Sequence, residues 1–186
     1  MAEQPRTRRF TSDEYYSMGR TGILTEDDRV ELINGEIIEL PPIGDRHSAC
    51  CSRLTRLLVG LLQSSAIVRV QDPVRLSPHS EPQPDIAVVQ WQDDFYASGH
   101  PSPKAVLLLV EVADSSVAYD RGIKLPLYAA AAIGEVWLVD LQGNRVEMHR
   151  DPSASGYRTV EIRGRGQRVA AQTLPEFTLA VDDMLP

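Results

Sequence analysis

Glu111 stands near the end of the run VLLLVEVADSS, Val106 to Ser116, with apolar residues leading up to it and Val112 behind it. An isolated ionised carboxylate in a dry interior costs several kcal/mol or more, so this one must be protonated, paired with a cation or bound to a metal. Two further acids share its setting. Glu31 is flanked by Val30 and Leu32, and Asp85 follows Pro84 at the head of PDIAVV. If the strands that carry them are neighbours in one sheet, three carboxylates converge, and such a cluster cannot stay ionised without a cation. Oxygen-only ligands suit a hard divalent ion, Mg²⁺ first and Mn²⁺ or Ca²⁺ next. Lys124 follows, four residues after Asp120 and four before Tyr128. Taken singly, each acid also reads as a solvated edge residue or an ion-pair partner. Lys124 with Asp120 also reads as a surface i, i+4 pair worth a few tenths of a kcal/mol. The combination and its order carry the metal reading.

The elements that must position these residues alternate between the two structural periods. FTSDEYYSM opens a short helix, with Thr11 and Glu14 in capping-box spacing. In RVELINGEIIEL, Asn34-Gly35 between two strand-like runs marks a two-residue hairpin that carries Glu31. HSACCSRLTRLLVGLLQSS has Cys50, Leu54, Leu57, Leu58, Leu61 and Leu62 at helical spacing. Strands follow at AIVRVQDPVRLS, PDIAVVQW and AVLLLVEVA. SVAYDRGIKLPLYAAAAI reads as a helix kinked or restarted near Pro126. EVWLVDL, RVEMHR and YRTVEIRG are the last main strands, with short strand character at FTLAV. The pattern predicts one mixed α/β domain over residues 1–186, residues 1–9 being flexible, with helices packed on a central sheet. The near-continuous apolar runs belong to central strands covered on both faces.

Composition narrows the function classes. A chain of 186 residues with 42% hydrophobic and 24% charged residues suits an ordinary globular domain. No apolar run is long enough to span a bilayer, and the basic, polar start MAEQPRTRRF has no signal-peptide core behind it. Cys50 and Cys51 read as reduced thiols on a helix, which fits the cytoplasm. The net charge of −7 argues against broad, non-specific binding of nucleic acid, but an acidic centre offset by metal can still act on a phosphodiester. Glycine-rich nucleotide loops and cysteine–histidine zinc spacings are absent from the sequence. His47 reads as capping or packing at a helix start, with metal binding the alternative, and Tyr128 as a core residue, with packing beside Lys124 or contact with substrate the alternative. Ser115 and Ser116 are candidate helix caps, and Arg163, Arg165 and Arg168 could meet phosphate or line a solvated loop.

In this order the residues resemble a known family. Pro84-Asp85, EVADSS, DRGIKLPLYA and EVWLVD are together similar to the Uma family of putative restriction endonucleases, a bacterial branch of the PD-(D/E)XK nuclease superfamily. VELINGEI and the helix opening at His47 extend the likeness over most of the chain. The resemblance implies a restriction-endonuclease-like core, a central mixed sheet flanked by helices, with the hairpin at its N-terminal side. It implies Mg²⁺- or Mn²⁺-dependent hydrolysis of DNA phosphodiester bonds, and a homodimer. Asp85 matches the acid of the PD motif, Glu111 the acid of E-x-K, and Glu31 an additional acid. All three would hold metal. The chain departs from the pattern at Ala113, where E-x-K places its lysine, and Lys124 on the next helix takes that part. The alternative is a nuclease-fold binding or assembly protein with weak or no catalysis. The acidic balance and Ala113 favour it. The three acids retained with Lys124 favour the enzyme.

Overall fold

The Thr11–Glu14 pattern forms a reciprocal cap and opens α1 (Ser12–Thr21). The Glu14 N–H donates to Thr11 Oγ1 at 3.2 Å, and Glu14 Oε2 accepts the Thr11 N–H at 2.9 Å. Thr11→Ala removes one arm of this cap. It is expected to lower stability by about 1 kcal/mol in chemical denaturation. The computed structural model describes residues 6–25, 27–174 and 178–186. Residues 1–5 of the expected flexible start, and Phe177 of the expected FTLAV strand, lie outside the described residues.

The Asn34-Gly35 turn joins β1 (Val30–Ile33) to β2 (Glu36–Glu39), with Ile33 opposite Glu36. Both turn residues have positive φ, 50° and 79°, as the right-handed twist of a two-residue hairpin requires. Gly35 is needed on a second ground, because a Cβ there would lie 2.5 Å from Arg9 Cβ. Helix α2 (Asp45–Leu62) buries Cys50, Cys51, Leu54, Leu58 and Leu62. Leu61, expected on the same apolar stripe, is exposed in the last turn.

Six strands form the central sheet in chain order: β3 (Ala66–Val70), β4 (Ile86–Gln90), β5 (Val106–Ala113), β6 (Glu135–Asp140), β7 (Arg145–Ser153) and β8 (Gly156–Gly164). Neighbours are antiparallel except β5 and β6, which are parallel. A parallel pair needs a crossover, and residues 114–134 supply it. This crossover holds α3 (Val117–Tyr119), a π-helical turn over Asp120–Lys124, and α4 (Leu125–Ala130). The predicted interruption is therefore present, but it falls before Pro126. Pro126 has no N–H to offer the carbonyl four residues back, and the widened turn accommodates the gap.

The central strands β4, β5 and β6 are buried on both faces. Val110 and Val112 of β5 and Trp137 and Val139 of β6 pack with α2 in one apolar cluster. Leu109 and Ala113, with Val136 and Leu138, pack with Leu125 and Tyr128 of α4 in the other. From Leu109 onward, alternation along β5 therefore sends the odd-numbered side chains toward the crossover. After β8 the chain adds β9 (Arg168–Ala170), a strand the sequence did not suggest. It pairs with β10 (Thr178–Ala180) ahead of α5 (Val181–Met184). Arg163, Arg165 and Arg168 are engaged locally, with Glu161, with Asp182 and with the Thr178 carbonyl.

Candidate active site

Glu31 reaches the site because β1 is tied to the segment before β4. The Glu81 N–H donates to the Leu32 carbonyl at 2.7 Å, and Gln83 Nε2 donates to the Val30 carbonyl at 3.0 Å. Glu81 is itself buried and accepts the Tyr16 hydroxyl at 2.5 Å and Arg75 Nε at 3.0 Å, which locks α1 onto this junction. Asp85 sits one residue before β4. Its Oδ2 accepts the Val112 N–H at 2.8 Å, while Oδ1 lies 2.9 Å from His47 Nε2 and 3.3 Å from Gln71 Nε2. Glu111 is an odd-numbered residue of β5, so its side chain emerges beneath the crossover. Lys124 and Tyr128 descend from that crossover one helical turn apart.

These placements bring Glu31, Asp85, Glu111 and Lys124 into one cluster. Lys124 Nζ stands 3.2 Å from Glu111 Oε1 and 3.3 Å from Glu31 Oε2. The Tyr128 hydroxyl donates to Glu111 Oε1 at 2.5 Å. Glu31 is further held by the Gln83 N–H at 3.1 Å and the Tyr119 hydroxyl at 3.2 Å. The alternative of a surface Asp120–Lys124 pair is overturned. Both residues are buried, Asp120 accepts the Ser116 hydroxyl at 2.7 Å, and Lys124 turns to the two glutamates. Ala113, where the superfamily pattern has lysine, packs in the same apolar cluster as Leu125 and Tyr128. A small residue there lets the crossover settle close to the sheet.

The cluster is electrostatically tense. Burial pushes the Glu111 carboxyl up to about 8 against the pull of the Lys124 charge, and Asp85 and Asp120 add to the rise. Burial alone would lower Lys124, but Glu111, Glu31, Asp120 and Asp85 outweigh it and hold the ammonium above its usual range. His47 is raised mainly by its hydrogen bond to Asp85. Burial raises the Tyr128 hydroxyl well above its ordinary value, so it remains a donor. A cleft of about 440 Å³ opens onto Asp85, Glu111, Asp120 and Lys124, with Arg29 and His47 on its wall.

The donor set fits a hard divalent ion on one side. Glu111 Oε1 is taken by Lys124 and Tyr128. Oε2, toward Asp85, receives only a 3.4 Å contact from the Asp85 N–H among the described residues. That oxygen keeps lone pairs free next to a second carboxylate at the cleft. Both oxygens of Glu31 accept hydrogen bonds, as do both of Asp85, and Glu31 also pairs with Lys124.

The sequence signal for several members of the cluster is weak or absent. His47, in the first turn of α2, also contacts Asp85. Tyr128 is a core residue, as its apolar neighbours suggested, and also a hydrogen-bond donor to the site. Gln71, Gln83 and Tyr119 carried no signal in sequence. His47 and Cys51, one turn apart on α2, and Asp85 each place one potential ligand atom within 4.8 Å of the others.

A six-strand mixed sheet flanked by helices thus has the three acids at one end and the buried lysine on its crossover. The chain belongs to the Uma2 family, described as "Putative restriction endonuclease", whose model matches residues 12–182. Among solved structures it is similar to a putative nuclease of DUF820 from Anabaena variabilis ATCC 29413. The TM-score is 0.72 at 20% identity, over 94% of this chain and 97% of that one, a likeness of fold. A likeness to the type IIG restriction endonuclease BpuSI has a TM-score of 0.40 at 21% identity and covers 67% of this chain and 14% of that one. No curated protein matches the chain. Among the described residues no helix is long and apolar enough to cross a membrane.

Proposed function

We propose that this protein is a divalent-metal-dependent endodeoxyribonuclease. The observation that carries this reading is the buried Lys124 ammonium bridging Glu31 and Glu111 beside Asp85 at the floor of an open cleft. Asp85 and Glu111 would hold Mg²⁺ or Mn²⁺. Bound there, the ion supplies a polarised phosphodiester oxygen and a water of lowered pKa. The chain's own residues do the rest. Lys124 donates to Glu111 and forms an ion pair with Glu31, and from the cleft lining its ammonium would meet the attacking water or a phosphate oxygen. Its charge is secured by the surrounding carboxylates, so it acts as a cation and not as a base. Glu31 is a positioning residue that holds Lys124. Tyr128 orients Glu111, and the Val112 N–H and His47 orient Asp85. Arg29 on the cleft wall offsets the negative charge of the site as a polyanion approaches. The two buried free cysteines suit a reducing compartment such as the cytoplasm.

The direct test is nicking of supercoiled plasmid DNA. Wild type is expected to nick with Mg²⁺ or Mn²⁺ and to stop when EDTA is added, and Asp85→Asn should lose at least about a hundredfold. Cleavage that survives EDTA, or Asp85→Asn as active as wild type, would rule out this mechanism. Metal binding without any cleavage would leave a nuclease-fold binding protein.

A further inference from the structure

His47 and Cys51 stand four residues apart on α2, so both side chains lie on one face of that helix, and this face meets Asp85. One ligand atom from each, an imidazole nitrogen, the cysteine sulfur and a carboxylate oxygen, fall within 4.8 Å of one another. A set of nitrogen, sulfur and oxygen donors has the softness that selects Zn²⁺ over Mg²⁺. It differs in kind from the all-oxygen pair of Asp85 and Glu111, and Asp85 belongs to both.

We propose that His47, Cys51 and Asp85 form a second metal site, selective for Zn²⁺ and similar transition ions, and that an ion there withdraws Asp85 from the carboxylate centre. The second half rests on the function proposed above, whereas the first stands on the donor geometry alone. The adjacent cysteines are not equivalent. Cys50 is fully buried among core residues, whereas Cys51 is 7% exposed and borders a cleft between α2 and the end of β3, shared with His47 and Gln71. That cleft is a route for an ion. His47 Nε2 already lies 2.9 Å from Asp85 Oδ1, so a proton bridges two prospective ligands where an ion would bridge three. Zinc bonds of about 2.0–2.3 Å require the donors to draw together slightly and leave the fourth position to water. A protein carrying this site is inhibited by Zn²⁺ while depending on Mg²⁺ or Mn²⁺.

Co²⁺ is the probe for the site, with the reduced full-length chain. A thiolate-to-cobalt charge-transfer band is expected in wild type, displaced by one equivalent of Zn²⁺ and lost in Cys51→Ser. Zn²⁺ affinity by calorimetry should fall by about tenfold or more in Cys51→Ser and in His47→Ala, since even outer-shell changes cost that much. His47 is only partly buried, so its variant keeps the test decisive if Cys51→Ser is poorly folded by circular dichroism. Glu111→Gln should keep the cobalt band, and one equivalent of Zn²⁺ should weaken Mn²⁺ binding to wild type but not to Cys51→Ser. The absence of a band, a band that survives Cys51→Ser, or unchanged Zn²⁺ affinity in His47→Ala would each overturn the site. Simultaneous binding of Zn²⁺ and Mn²⁺ without competition would overturn the inhibition. A Cys51-dependent band in a protein that never cleaves DNA would support the site and count only against the nuclease reading.

Discussion

Lys124→Met is expected to lower metal-dependent DNA cleavage by about a hundredfold or more, the scale of losing one preorganised donor to developing charge. Methionine keeps the length of the stem and deletes the ammonium. From the sequence alone, with length and apolar stem kept, the variant would fold close to wild type. Burial changes that expectation. Lys124 is 5% exposed and stands 3.3 Å from Glu31 and 3.2 Å from Glu111, so its loss removes the counter-ion of Glu31 and the charge that opposes the rise of Glu111. Removing one partner of a buried pair costs about 3–5 kcal/mol, and the metal-free variant should be destabilised on that scale. The deficit should shrink as pH falls and Glu111, raised by burial, takes up its proton. Added Mn²⁺ should return part of it, because an ion that binds only the folded state stabilises it. Single-turnover nicking at saturating Mn²⁺, with thermal melts of both proteins, separates the two effects. Equal cleavage rates would remove Lys124 from the chemistry, and equal metal-free melting would contradict its role as the internal counter-ion.

Glu111→Gln should weaken Mn²⁺ binding by about tenfold or more in calorimetry, because a neutral amide replaces one of the two carboxylates available to a hard ion. Cleavage should fall with it. In the metal-free protein the same change is expected to stabilise the fold above neutral pH. The Glu111 carboxyl is raised to about 8 from the ordinary 4.5, chiefly by burial. A group raised in this way contributes stability that is fully present below its unfolded value. That contribution is lost as pH rises through the folded value. Wild type should therefore lose stability between about pH 4.5 and 8 through this residue, and the glutamine variant should not. Melting curves across that range in EDTA read the difference directly. A gap between the two proteins that does not widen with pH would show that Glu111 titrates normally, and unchanged Mn²⁺ affinity would show that it is not a ligand.

Much of the architecture was legible in the chain because the signals are local. The Thr11–Glu14 cap, the Asn34-Gly35 turn and the apolar runs of β4, β5 and β6 follow from spacing and turn chemistry, which short peptides already express. The anomaly of Glu111 was also visible, since a carboxylate in a doubly buried strand demands a partner whatever the fold. Which partner it has could not be read from spacing. The i, i+4 rule joined Lys124 to Asp120, a surface geometry. The fold instead lays the crossover of a parallel strand pair over the odd-numbered face of β5 and drives Lys124 inward to Glu111 and Glu31. The roles of His47, Tyr119 and Gln83 are likewise products of long-range pairing, between α2 and β4, between the crossover and β1, and between β1 and the segment before β4. No local pattern encodes such contacts, because they exist only once loops between distant segments have closed. Sequence alone therefore determined the elements and the acids that had to be compensated. The tertiary structure decided which cation lies against Glu111 and Glu31, which acid faces the cleft with a free oxygen, and that His47 and Cys51 come near Asp85.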